Sequence, residues 1–306
     1  MACVVIRVRH IWAHGPSSFQ TLDGRQLRST SDIIHEVELY SSSSDKQDAY
    51  SILRYGANTD ISQAVFQHCQ PLQTPSQVLH VSFSPGPSDP FPAILPMIGQ
   101  MGSFDYPSAS IDEPLDCYLH GYVSSRIMNL ARDSDGDGLP ICIASSRVDG
   151  LILSLTPNSH SYNYRSAILH GYAKLVTDEA EKLYAMELIT NSVLCDRWEH
   201  SRVPPDRAEM SSTVILKVKV VDGSGKIRDG GVSDEKKDTT NDEVTSRVWT
   251  GVVPVWETFG DPVPSPANKV KEVPDYITRF VADKNDQNRR YAREAVHIAL
   301  PAEEQH

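Results

Sequence analysis

The chain is poor in the features that mark several large protein classes. Its five cysteines (Cys3, Cys69, Cys117, Cys142 and Cys195) are odd in number, widely spaced and without a CxxC pair. That excludes a zinc-ribbon pattern, gives no basis for a disulfide framework, and fits a reducing, cytoplasmic setting. Basic residues are scarce: 29 Lys and Arg face 40 Asp and Glu, for a formal charge of -11 and a pI near 5.4. Nucleic acid is excluded as a partner, because phosphate binding needs a concentrated basic surface. No apolar run approaches the about 20 residues that span a bilayer, so no membrane partner is expected. The N-terminal MACVVIRVRHIWAHG is broken by arginines and has no small-residue cleavage motif after a long apolar core, unlike a signal peptide. Also missing are a GxSxG elbow, a GxGxxG loop after a strand, a GxxxxGK[ST] loop and an HExxH pair, and with them the chemistry each supports.

What is present is ordinary for a soluble globular protein: 306 residues, 40% hydrophobic and 23% charged. The length suits one large domain or two modest ones. Residues 1–45 are mixed and end in a polar tract, YSSSSDKQD, that reads as a tether. In NTDISQAVFQHCQP, Ile61, Ala64, Val65 and His68 recur at helical spacing behind Asn58 and Thr59, with Pro71 as the stop. Short β-type runs follow: QVLHVSF, FPAILPMIG, LDCYLHG, PICIASS, GLILSL and YRSAILHGYAKLV, each bounded by turn residues. Their close spacing favours an antiparallel barrel or sandwich over βαβ units. In the last run Ala167, Leu169, Gly171, Ala173 and Leu175 alternate with Tyr164, Ser166, His170, Tyr172 and Lys174, which gives one core face and one face for a cleft or partner.

TDEAEKLYAMELITNSVLC is a helix with Asp178 and Glu181 at its start and an apolar stripe of Leu183, Met186, Thr190, Val193 and Leu194. TVILKVKVV and VWTGVVPVW read as two more strands, separated by a mobile loop that begins DGSGKIRDGG. A Pro-rich linker near 262–267 and weakly amphipathic helices complete the chain.

RDSDGDGLPICIA has the opening spacing of a calcium loop, but its twelfth position is Ala144 where a bidentate Glu is required, so it reads as an Asp/Gly turn. YVSSRIMNL carries more information. A helix starting near Ser124 lets Ser124 and Ser125 cap it, leaves backbone N–H groups facing outward, and sets the Arg126 fork beside them. A phosphate site is one reading and an ordinary Ser-capped helix the other. Arg165, among Tyr162, Tyr164 and Ser166, is a second cation that could line a pocket or simply pack. His120, His160 and His170 lack metal-ligand spacing and read as polar barrel or cleft residues, so no metal site is expected.

Taken in order, AILPM, YLHGYVSSRIMNL, DGLILS, NYRSAILHGYAKLVTDEAEKLYAMELI, SGKIRDGG and VWTGVVPV resemble the pyridoxamine 5'-phosphate oxidase-like FMN-binding split-barrel family, in its flavin-nucleotide-binding, nitroimidazole-resistance reductase-like branch. The resemblance implies a mainly β fold, a six-stranded antiparallel Greek-key split barrel with peripheral helices, forming a homodimer with FMN at the interface. It implies an N-terminal extension over 1–49, the FMN-binding domain over 50–256 and a C-terminal extension with short helices over 257–306.

Residue by residue, the resemblance gives Ser125 and Arg126, with Ser124 beside them, the cofactor phosphate. Ile94, Leu95, Pro96 and Met97 flank the isoalloxazine ring, and His120 and Gly121 the ribityl chain. Tyr164, Arg165 and Ser166 lie near the cofactor or reach a partner subunit's site. Lys226, Arg228 and Trp249 close the cleft. The implied activity is that of an FMN-dependent oxidoreductase acting on a small organic molecule, with aromatic and nitro compounds as candidates. NAD(P)H is a candidate donor, and His120 and His170 are candidate catalytic residues. A non-catalytic flavin- or ligand-binding dimer and a haem-binding split barrel stay open. The insertion YPSASIDEP departs from the family pattern, as does the absence of the arginine signature by which the true pyridoxamine phosphate oxidases hold their substrate.

Overall fold

The computed structural model describes residues 3–11, 34–40, 78–109 and 115–296. The helix expected over 58–70 and the tether after Tyr40 lie outside them. In chain order the elements are β1 (Cys3–Ile11), β2 (Ile34–Tyr40), β3 (Leu79–Phe83), β4 (Ala93–Gly102), β5 (Asp116–Tyr122), α1 (Arg126–Asp133), β6 (Leu139–Leu153) and β7 (Ser161–Leu175). There follow α2 (Glu179–Val193), α3 (Arg207–Ser212), β8 (Thr213–Arg228), the single turns α4 (Lys236–Thr239) and α5 (Asp242–Thr245), β9 (Gly251–Pro254) and α6 (Asp275–Glu294).

Six strands close on themselves in the order β8-β5-β4-β3-β6-β7 and back to β8, every pairing antiparallel. β3, β4 and β5 form a meander and β6 returns beside β3, which is the Greek-key arrangement. The expected six-stranded barrel is therefore the fold of this chain. Closure is possible because β8 is long: it pairs with β5 over 213–218 and with β7 over 216–228, while β1 takes its second half over 222–228.

Strand alternation builds the core. Val81, Phe83, Met97, Met101, Cys117, Leu119, Ile141, Ile143, Leu169, Leu216 and Val218 face inward and are buried. In β7 the predicted parity holds, with Ala167, Leu169, Gly171 and Ala173 buried and His170 and Lys174 exposed. α1 docks by Ile127 and Met128, both fully buried. Each such side chain contributes about 1.5–3 kcal/mol, which anchors the start of the helix against the barrel.

Three readings are corrected by tertiary contacts. PICIASS and GLILSL are one strand, β6, because Arg147 and Asp149, which interrupt the apolar pattern, turn inward onto partners, with a bulge between Val148 and Gly150. DGSGKIR is not loop but the second half of β8, where Gly223 and Gly225 are buried between β1 and β7. In α2, capped by the Asp178 carboxylate accepting from the Glu181 N–H, Ala185 and Ile189 are buried and Val193 is exposed. The apolar stripe is thus rotated from the expected one, because α2 packs on Tyr118 and Ile215 of the barrel's outer side.

Candidate functional site

The link from β5 into α1 carries the strongest site features. Gly121 faces inward against α1: a Cβ there would lie 2.2 Å from Met128 Cε, so a larger residue would have to push the Met128 side chain aside. Four residues on, Ser125 occupies the N-cap with extended backbone, yet its side chain makes no cap hydrogen bond, contrary to the expected Ser cap. Its Oγ is buried and has no hydrogen-bond partner. The first N–H groups of α1 lack intrahelical acceptors and the positive end of the helix dipole adds to their pull on an anion.

Arg126 is exposed at the same turn. Its Nη2 donates to the Pro85 carbonyl at 2.9 Å, and Nη1 lies 3.6 Å from the Asp89 carboxylate. Both groups belong to the β3–β4 loop, where the Asp89 N–H donates to the Gly86 carbonyl. An ion pair this exposed is worth about 0–1 kcal/mol, so a phosphate at the helix start can displace Asp89 at little cost.

Beside this turn lies the outer face of β3, β4 and β5. Register sets His80 opposite Pro96 and Ile98 opposite His120, so two imidazoles flank an apolar strip in which Ile94 is 61% and Ile98 46% exposed. Of the predicted ring-flanking segment, Pro96 faces outward, Leu95 is half-buried and Met97 points into the core. Burial pulls the His120 proton affinity below its ordinary value.

A groove of about 550 Å³ opens where the β3–β4 loop meets β6 and β7. Phe91, Pro140 and Tyr172 line it together with Ser82, Cys142 and His170. Cross-strand pairing places Ser82, Cys142, His170 and Asp222 in one row. Asp89 lines this groove and also meets Arg126, so the groove adjoins the α1 turn.

The structure thus brings Ser124, Ser125, Arg126, Gly121, His120 and Pro96 near one another and places His170 in the adjoining groove. Tyr164, Ser166 and Lys226 lie farther along β7 and β8, roughly 13–20 Å from His170 at about 3.3 Å per residue. There the Ser166 hydroxyl donates to the Lys226 carbonyl, and Lys226 Nζ sits 5.5 Å from the centre of the Tyr164 ring. Arg165 turns the other way. It is 3% exposed, grips Asp149 with Nε and Nη2 at 2.8 and 2.7 Å, and stacks 3.5 Å over the Tyr291 ring. Arg228 is buried on Asn163, while Trp249 is 66% exposed against Gly251 before β9.

Lining residues that the sequence did not single out as site residues are His80, Asp89, Phe91 and Cys142. His80 was readable by parity, since Leu79, Val81 and Phe83 alternate inward around it. Asp89 and Phe91 sit on a loop whose path only Arg126 and the barrel define. Among the described residues no cluster of His, Cys, Asp and Glu could hold a metal ion, and no helix is long and apolar enough to cross a membrane.

The profile of the pyridoxamine 5'-phosphate oxidase family matches residues 67–227, more than half of the chain. No curated protein matches it. Among solved structures, the flavocytochrome Anf3 from Azotobacter vinelandii is 24% identical, with a TM-score of 0.54 over 72% of this chain and 88% of that one. The FAD and heme binding protein from Mycobacterium smegmatis is 20% identical, with a TM-score of 0.57 over 73% of this chain and 97% of that one. A protein of Bacteroides thetaiotaomicron described for 5-nitroimidazole antibiotic resistance is 17% identical, with a TM-score of 0.39 over 53% and 82%. At these identities the first two likenesses establish a common fold.

Proposed function

The chain belongs to the pyridoxamine 5'-phosphate oxidase family, and from that membership we propose that it is a flavin-dependent oxidoreductase acting on a small organic molecule. The observation that carries the reading is the α1 turn: a buried, unpartnered Ser125 hydroxyl and an exposed Arg126 fork at a helix start, beside an apolar face. This is the donor set an anionic flavin tail requires. The phosphate of FMN would be held at this turn; FAD, which the Mycobacterium smegmatis protein binds, would extend into the adjoining groove.

A bound flavin supplies the hydride and electron chemistry. The chain's own residues hold and shield it. Ser125, the α1 N–H groups and Arg126 would grip the phosphate. Ile94, Pro96 and Ile98 would keep water from the apolar strip. His120, whose neutral form is favoured by burial, has a ring nitrogen able to accept a proton near neutral pH. His170 would act on a small molecule in the groove, where aromatic walls suit an aromatic or nitro compound. Tyr164, Ser166 and Lys226 lie roughly 13–20 Å along the barrel from His170, and they are assigned to the site of a second copy, the proposed working form being a homodimer. NAD(P)H is the proposed electron donor.

A second reading adds a haem to the flavin. It rests on the two similar structures above, a flavocytochrome and a protein that binds both FAD and heme, and on the imidazoles of His80 and His120 flanking the apolar strip. One experiment separates these readings: denature the purified protein, then identify what is released by chromatography and mass. FMN or FAD supports the proposal, and haem in addition supports the second reading. In titrations of the stripped protein, Arg126→Glu is expected to weaken flavin binding at least tenfold, since charge-assisted hydrogen bonds contribute about 1.5–3 kcal/mol. Neither flavin released, and no calorimetric response to either, would sink the reading. Flavin that NADH and NADPH both fail to bleach would make the protein a binder rather than an enzyme.

A further inference from the structure

Away from the proposed flavin turn, the inner face of β6 and β7 holds a charged cluster where an apolar core is expected. Ser145, Arg147 and Asp149 from β6 face inward with Asn163 and Arg165 from β7, each at most 9% exposed. Arg147 and Arg165 are direct cross-strand partners, and Ser145 is the next inward residue, opposite Ala167. Like charges opposed in this way repel unless something sits between or beside them.

The carboxylates nearby neutralise this pair unevenly. Asp149, itself buried, takes two donors of Arg165. Arg147 donates to Glu257 at 2.6 Å, but the Glu257 side chain is 64% exposed and its charge is diluted by solvent. The other Arg147 terminal nitrogen donates to the neutral Asn288 of α6 at 3.3 Å. Burial loosens the Arg147 proton most and Arg165 adds to this against the pull of Glu257 and Asp149, while burial and then Arg147 loosen the proton of nearby Lys284.

Three polar atoms in this cluster are buried without a hydrogen-bond partner: Ser145 Oγ, Arg147 Nε and Arg165 Nη1. A guanidinium can only donate, so whatever satisfies the two arginine nitrogens must be an acceptor. Cross-strand neighbours have Cβ atoms only about 4.5–5.5 Å apart, which favours an ion of one to a few atoms over a phosphate ester. We infer that Ser145, Arg147 and Arg165 form an interior site for a small monovalent anion of the chloride class, closed over by α6 through Asn288 and Tyr291. A bridging water could accept two of these bonds, but it would leave Arg147, whose own ion-pair partner Glu257 is mostly in solvent, without a buried counter-charge of its own. The site explains why two arginines tolerate each other inside a barrel. It ties the 257–295 segment to the barrel and is independent of the flavin.

The test uses the full chain, exchanged into chloride-free methanesulfonate buffer and titrated with sodium chloride at constant ionic strength. The melting temperature is expected to rise saturably, and in Ser145→Ala, which removes one hydroxyl without enlarging a side chain, the half-saturating chloride is expected to rise about tenfold. Cofactor absorbance should not change, which separates this effect from one at the flavin. A crystal grown in bromide should show an anomalous peak in contact with Arg147 Nε and Arg165 Nη1. A melting temperature indifferent to chloride, an identical titration in Ser145→Ala, or water density with no anomalous signal would each overturn the assignment.

Discussion

His120 faces outward by strand parity, on a face whose neighbours are Ile98 and Ile215, so its imidazole is polar in an apolar setting. Burial lowers its pKa from 6.5, which means the folded state prefers the neutral ring and the unfolded chain binds the proton more tightly. Stability from this source is complete above the unfolded value and falls as pH drops below it toward the lower folded one. In denaturant titrations between pH 8 and pH 5, His120→Gln is therefore expected to lose less stability than the parent on acidification. Superimposable pH profiles would remove the effect. The outward position of His120 was legible from alternation, and so was that of His170. The burial of Arg165 was not: a strand-start arginine among tyrosines reads as surface or pocket, and its carboxylate, Asp149, lies on another strand.

At the scale of elements, β8 shows how pairing overrides local composition. Its DGSGKIR half is rich in glycine and charge, yet with a neighbour on each edge it is strand and its glycines are buried. The same holds across the ladder at the bulge between His170 and Gly171, where a Cβ on Gly171 would lie 2.4 Å from the Lys219 carbonyl oxygen. Backbone cannot step aside as a side chain can. Gly171→Ala is expected to destabilise the protein by about 1–3 kcal/mol, as overpacked core positions do, measured by chemical denaturation. A loss within error of zero would mean that the bulge relaxes freely. Both repeats of the tripeptide HGY end up with their histidines outward and their glycines against packed neighbours, Met128 for Gly121 and Val218 with Lys219 for Gly171. Periodicity alone reached the first half of that statement.

For the molecule as a whole, the notable quantity is apolar surface left outside. Phe91 is 76%, Tyr122 67%, Ile94 61% and Ile98 46% exposed, and several of these surround the proposed flavin turn. Contiguous apolar surface of this kind marks an interaction site, which supports pairing of two copies across it. Ile98→Asp leaves a surface position polar, so folding stability should change by no more than about 0.5 kcal/mol. In sedimentation analysis the variant is expected to be monomeric and to retain less flavin. A parent protein that is already monomeric, or a variant that still pairs with full flavin content, would refute the interface.

Sequence alone determined most of the barrel's strand segments, the alternation that turns one side of each inward, and the SSR turn at the head of α1, because these depend on residues adjacent in the chain; the full lengths of β6 and β8 came only with pairing. Tertiary structure decided what the charged residues do. Only folding brings Asp149 to Arg165, Asp89 to Arg126, and Asn288 with Glu257 to Arg147, partners 16 to 141 residues apart. A charge read along the chain signals solvent. The same charge enclosed in a barrel is set by whichever strand or helix closes over it, since in a low-dielectric interior the partner determines whether burial is tolerated.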